Sequence, residues 1–256
     1  MILEIKDIVD IHKGKTSFVV ANGPSTLPNL KSIINHAKDK ENNIVFVCNE
    51  VDEMLSTIGL DLMKHLSPDY WVIANTILTV QARHKSFNLL KQNNGKLIYA
   101  NSVDMTQNPE KYLEIDFLPY DQRHFDHKPC PVYDQHFNCC SNVAHLMPHR
   151  LTVQEELQKY CKHDIHYGTA STVALHMLAF SVLMGCKRVY LSGIDLDYKL
   201  GYFDRKTYNP DSFLPWLDQI LDDFKIIKNS CDNIGVEIIN LSPISPLKDI
   251  FTTETL

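Results

Sequence analysis

The chain has 256 residues, 44% of them hydrophobic and 22% charged, with a formal net charge of -6. That length and composition suit one soluble domain with a full core, and the acidic balance excludes sequence-independent binding to nucleic acid, which needs a basic face. No stretch reaches the roughly 18 apolar residues of a membrane span, and the opening residues, with Glu4 and Asp7, are not a signal peptide, so a cytoplasmic protein is expected, peripheral at the inner face of a membrane if it meets one.

Short runs rich in β-branched and apolar residues recur, each followed by a turn and a helical pattern. The first covers 17–22 (SFVVAN). Gly23-Pro24-Ser25 ends it, and a helix is predicted over about 27–36 with Ser25 as its cap. Residues 43–49 (NIVFVCN), 70–75 (YWVIAN) and 96–101 (KLIYAN) read as the second to fourth strands. An apolar helix over 171–184 leads into a strand at 187–192, and a long amphipathic stretch over 213–230 leads into another at 236–241.

These runs are nearly continuous in apolar residues, as in parallel strands covered on both faces. Strand and helix in alternation imply right-handed crossovers. The expected fold is α/β, a doubly wound, mostly parallel Rossmann-like sheet in a single domain spanning 1–256. Two stretches break the pattern: an irregular insert at about 104–165, rich in Pro, His, Asp, Tyr and Cys, and a polar, aromatic segment at about 196–215 that reads as a lid. The seven cysteines are odd in number and show no disulfide spacing, so a reduced state is expected. Cys130, His136, Cys139, Cys140, His145 and His149 cluster without the spacing of common zinc sites, and ordinary packing explains them better.

The chemistry is signalled by the asparagines. Asn22, Asn49, Asn75 and Asn101 each fall at the carboxyl end of a predicted strand, where open α/β sheets bind ligands. An amide there offers a donor and an acceptor; the alternative is that Asn is merely a good turn residue. Gly23 allows close backbone approach, and the helix start after Ser25 can face an anion. Ser171 and Thr172 open the apolar helix with hydroxyls, either as caps or beside a phosphate or carboxylate. Gly193 and Asp195 end the next strand, where the carboxylate could meet ribose hydroxyls, a metal or a backbone turn. Tyr198 and Tyr202 follow; their phenols either pack the lid or stabilise a departing anion.

Several of these strings, in this order, resemble the bacterial sialyltransferases that build lipooligosaccharide from CMP-activated nonulosonic acids. They are the NGPS at 22–25, Asn49 and Asn75 after their strands, the hydroxylated helix start at 169–172, YLSGID at 190–195, the paired Tyr198 and Tyr202, and the Pro-Ser turn after Leu241. The likeness covers about 16–103 and 165–248. It implies a GT-A-like nucleotide-binding domain that moves a sugar from a CMP donor to a glycan acceptor, lipid-linked in lipopolysaccharide biosynthesis. Asn22, Gly23, Pro24, Ser25, Asn49, Asn75, Ser171, Thr172, Gly193 and Asp195 would hold the nucleotide and donor. Tyr198 and Tyr202 would assist the leaving phosphate without a metal, so no cofactor is expected.

The sequence departs from that family at the general base. Asp218 stands where the sialyltransferases carry a His, and Asp218 or a mid-chain His (His127, with His124 and His136) is left to take the acceptor proton. Flagellin-glycosylation accessory proteins and an archaeal hydroxymethylpterin pyrophosphokinase share the same outline. They leave two other readings: a Mg²⁺-dependent phosphoryl transferase using Asp195 and Asp197, and a non-catalytic nucleotide- or glycan-binding protein. Homo-oligomerisation is left open.

Overall fold

The computed structural model describes residues 8–73, 84–99, 117–119, 172–197, 199, 201 and 217–256. Within them the apolar runs form strands: β1 (Thr16–Val20), β2 (Asn43–Cys48), β3 (Tyr70–Ile73), β4 (Lys96–Tyr99), β5 (Phe117–Pro119), β6 (Arg188–Ser192), β7 (Glu237–Asn240) and β8 (Thr252–Thr253). All lie in one sheet, in the order β5-β4-β3-β2-β1-β6-β7-β8. Every pairing is parallel. The α/β expectation therefore holds, and the described sheet is wholly parallel. β5 and β8 escaped the sequence reading because three and two residues are too few to show periodicity.

Alternation along the strands sorts the core into two layers. Val19, Phe46, Val72 and Leu191 face one side, where they meet helix α5 (Val173–Leu183) and the buried stripe Ile220, Phe224, Ile227 and Cys231 of helix α6 (Leu217–Ile234). Phe18, Val20, Val45, Val47 and Trp71 face the other. There they pack on α1 (Thr26–Ala37), α2 (Val51–Thr57), the single turn α3 (Leu62–His65) and α4 (His84–Gln92). Each fully buried Leu or Phe in these layers contributes about 1.5–3 kcal/mol.

α5 is apolar all round, and from Ala174 to Leu183 every residue is buried, as a helix crossing the centre of a sheet must be. Its one hydroxyl among those residues, Ser181, is satisfied twice: it donates to the Met177 carbonyl (2.8 Å) and meets Ser17 Oγ of β1 (2.7 Å). α6 is amphipathic, with its 4-3-4 apolar spacing inward and Asp222, Lys225 and Asp232 in solvent.

The strand order reveals where a ligand would sit. From β1 the chain winds outward through β2, β3, β4 and β5, then returns to the opposite edge of β1 and winds the other way through β6, β7 and β8. The reversal between β1 and β6 opens a crevice at their carboxyl ends, since the flanking connections diverge there. No helix among the described residues is long and apolar enough to cross a membrane.

Candidate functional site: a cleft at the winding reversal

Parallel register brings the asparagines together. Val20 of β1 is opposite Val47 of β2, and Asn22 and Asn49 each lie two residues further on. A cleft opens at this rim. Asn22, Gly23, Asn49, Thr172, Gly193 and Asp195 line it, with Ala21, Cys48, Ala174 and Ile194 as its apolar walls.

Asn22 is only 5% exposed. Its Oδ1 is buried and accepts no hydrogen bond. A buried acceptor without a donor costs about 1–3 kcal/mol, and such groups are rare enough in native proteins to call for a cause. Asn49 has φ of 43°, a left-handed conformation that asparagine tolerates better than most residues. Its backbone is held from both sides: the N–H donates to the Val72 carbonyl (3.0 Å), and the carbonyl accepts from the indole Nε1 of buried Trp71 (2.9 Å).

The loop carrying Asn22 sits directly on the end of β6. Gly23 N–H donates to the Gly193 carbonyl (2.9 Å), and Ala21 N–H to that of Ser192 (2.8 Å). A Cβ on Gly23 would lie 2.5 Å from both Asp195 Oδ2 and the Gly193 carbonyl oxygen, so no side chain fits. Gly193 has φ of 72°, and a Cβ there would strike Thr26 Oγ1 and the Ala21 carbonyl.

Ser25 was expected to cap α1 with its side chain. It stands at the cap position but makes no side-chain cap bond. Its hydroxyl donates to Asp195 Oδ1 and its N–H to Asp195 Oδ2 (3.0 Å). A capping serine would accept from a helix N–H; here the hydroxyl is committed instead as a donor to a buried carboxylate, a charge-assisted bond. Asp195 also accepts from the Ser242 hydroxyl at 2.6 Å. Three protein donors thus occupy the carboxylate that the sequence offered to ribose, metal or turn. Asp197, the other carboxylate of the divalent-ion reading, accepts from Lys199 N–H at 3.0 Å.

Across the cleft stands the start of α5. Thr172 has extended backbone and its hydroxyl accepts from Ala174 N–H at 3.5 Å. Thr172, Val173 and Ala174 all line the cleft, so this helix presents its positive dipole end there. No Lys or Arg is among the lining residues described; an anion would be received by backbone N–H groups and hydroxyls. Cys48, in the wall, is kept in its thiol form: burial, with help from the Glu50 carboxylate, pushes it up to about 12.

Seven of the residues singled out from sequence, Asp197 among them, therefore share one cleft. Pro24 and Ser25 lie in the loop behind it. Asp218 is exposed in the first turn of α6 and is not among the lining residues. Asn75, Asn101, His124, His127, His136, Ser171, Tyr198, Tyr202 and the Cys130–His149 group lie outside the described residues. Sequence reasoning missed the walls (Ala21, Cys48, Ala174, Ile194), since small apolar residues at strand and helix ends look like core. It also missed the tie made by Ser242, which no local pattern could connect to Asp195.

No protein-family model matches this chain, and no curated protein matches it in sequence. The matching solved structures include two of the sialyltransferase CstII from Campylobacter jejuni. One, in complex with a substrate analogue, cytidine-5'-monophosphate, aligns with 94% of this chain and 85% of that chain, at a TM-score of 0.50 and 14% identity. The chain shares its fold with a sialyltransferase. A second structure of the same enzyme, with CMP-3FNeuAc, covers 93% and 85% at a TM-score of 0.47 and 16% identity. At such identities the sialyltransferase likeness is one of fold; chemistry has to be argued from the cleft.

Proposed function

We propose that this chain is a glycosyltransferase that moves a sugar, a nonulosonic acid such as sialic acid, from a CMP-activated donor to a hydroxyl of a glycan. The observation that carries the reading is the unpartnered Oδ1 of Asn22, buried at the winding reversal. It needs a donor, and a ribose hydroxyl or the exocyclic amine of cytosine supplies one. The start of α5 lies across the same cleft and suits the phosphate. Asn49 completes the rim, and the apolar walls offer a surface for the base.

In the reaction, the acceptor oxygen bonds to the anomeric carbon as the bond from that carbon to the phosphate oxygen breaks. CMP leaves with the electron pair, and the hydroxyl proton passes to a general base. We assign the base to Asp218 or His127 and the stabilisation of the departing phosphate to Tyr198 and Tyr202, with Asn75 and Ser171 joining the donor site. In this scheme the phenols do what a divalent cation does elsewhere, so no cofactor is required. The acceptor is a glycan, lipid-linked in lipopolysaccharide assembly.

Calorimetric titration with CMP, UMP, AMP and ATP with Mg²⁺ tests the proposal. The wild-type protein is expected to bind CMP in preference to the others. Asn22→Ala should weaken CMP binding about tenfold without lowering the melting temperature, since the substitution also removes an unsatisfied acceptor from the free protein. Preference for ATP with Mg²⁺, or no nucleotide binding at all, would overturn it.

A further inference from the structure

The Asp195 carboxylate does more than end a strand. It is 4% exposed, and its hydrogen-bond partners Ser25 and Ser242 are 7% and 0% exposed. Oδ2 takes the Ser25 N–H; Oδ1 takes the hydroxyls of Ser25 and Ser242. Three donors from two chain segments, the loop after β1 and the turn after β7, converge on a residue just past β6. Ser242 is itself fixed, its N–H donating to Asn240 Oδ1 (3.1 Å) and its carbonyl accepting from Asn240 Nδ2 (2.7 Å). Asn240 Nδ2 also reaches Thr253 Oγ1 of β8 (3.1 Å). On the opposite side of the carboxylate, Gly23 packs so closely that a Cβ has no room. The residue before Gly23 is Asn22.

A carboxylate suits this place better than an amide. All three partners donate, and one of them, the Ser25 N–H, cannot reverse its role. An asparagine would have to keep its oxygen on that N–H and turn its NH₂ toward the Ser25 and Ser242 hydroxyls, reversing both and replacing charge-assisted bonds with neutral ones.

We propose that Asp195 is a positioning residue for the nucleotide site: held from behind by Ser242, it seats the 22–25 loop through Ser25 and so aims the Asn22 amide into the cleft. The claim rests on the nucleotide reading for its consequence in binding, but not for its structural content. It makes Ser242, which does not line the cleft, a determinant of affinity.

The test uses Ser242→Ala, a small change that leaves Asp195 with two donors, and Asp195→Asn as a second variant. Three readouts are taken on the whole chain: CMP affinity, the NMR signals of the Asn22 and Asn49 side-chain amides, and the same affinity in an Asn22→Ala background. Ser242→Ala is expected to weaken CMP binding about fivefold, an indirect effect smaller than the loss of the Asn22 contact itself. It should shift the Asn22 amide signal while leaving that of Asn49 in place, and cost no further affinity once Asn22 is alanine. A general loosening would move both amides and add to the loss in the double variant. An Asn22 signal unmoved in both variants, or additive losses of affinity, overturns the proposal. If the wild type binds no CMP, the nucleotide reading falls, and the amide signals still decide the positioning claim.

Discussion

At the rim of β1, single atoms decide what can be changed. Gly193 combines a left-handed φ of 72° with a Cβ direction that points into Thr26 and the Ala21 carbonyl. Gly193→Ala must therefore strain the backbone and push apart the loop on which Asn22 rides. A loss of about 2–4 kcal/mol is expected, read as a lower urea midpoint with an unchanged slope. Asn22 behaves in the opposite sense, because alanine there removes a liability of the free protein and should cost only binding. The two positions were legible in sequence to different degrees. Asn22 and Asn49 were visible because strand ends are set by local pattern, and parallel register then placed them side by side. The use of Ser25 was misread, since the carboxylate that captures its hydroxyl lies 170 positions away and no local rule carries that far. Asp195 was noticed, but its partners were not.

Among the elements, the segment before β1 and the start of β3 share a titrating contact. His12 Nε2 lies 2.7 Å from the Tyr70 hydroxyl, with the rings edge to face at 5.5 Å. Its Nδ1 is buried without a partner. Burial, and then the nearby Lys15 charge, lower the His12 pKa from 6.5 to about 4; Asp69 pulls the other way and Lys96 adds to the lowering. The unfolded chain thus takes up a proton that the folded chain refuses. Stability from this contact is complete above pH 6.5 and declines as the pH falls toward 4. The imidazole is partly exposed, so the effect is screened to about 1 kcal/mol. Urea midpoints at pH 7 and pH 4.5 should draw apart more for the wild type than for His12→Gln; equal spacing in the two proteins would remove His12 from the account. Sequence showed none of this, since the contact joins a loop to a strand 58 positions later. The long elements were easier to see: the 4-3-4 spacing of α6 and the unbroken apolar run of α5 are strong periodic signals, whereas β5 and β8 are too short to carry one.

On the scale of the whole molecule, the described cysteines report on global opening. Cys48, Cys186 and Cys231 are free and buried, and each thiol is pushed up to about 12, mainly by burial. Iodoacetamide at pH 8 should leave all three unmodified in the native protein and alkylate them together as urea unfolds it, a sequence followed by mass spectrometry. Early modification of one alone would mark a local opening of its layer. The parallel fold itself was readable because parallel strands are apolar on both faces; the position of the reversal was not, because strand order is a long-range property. That reversal bears on how the chain is made. β1 is near the amino terminus, while β6, which covers one of its edges, lies in the last third of the chain. During synthesis β1 to β4 therefore emerge with a bare central edge and an apolar face that, among the described elements, α5, α6 and β6 cover later. Until β6 has cleared the ribosome, the half-built sheet keeps an unpaired central edge, the kind of surface on which partly folded chains associate.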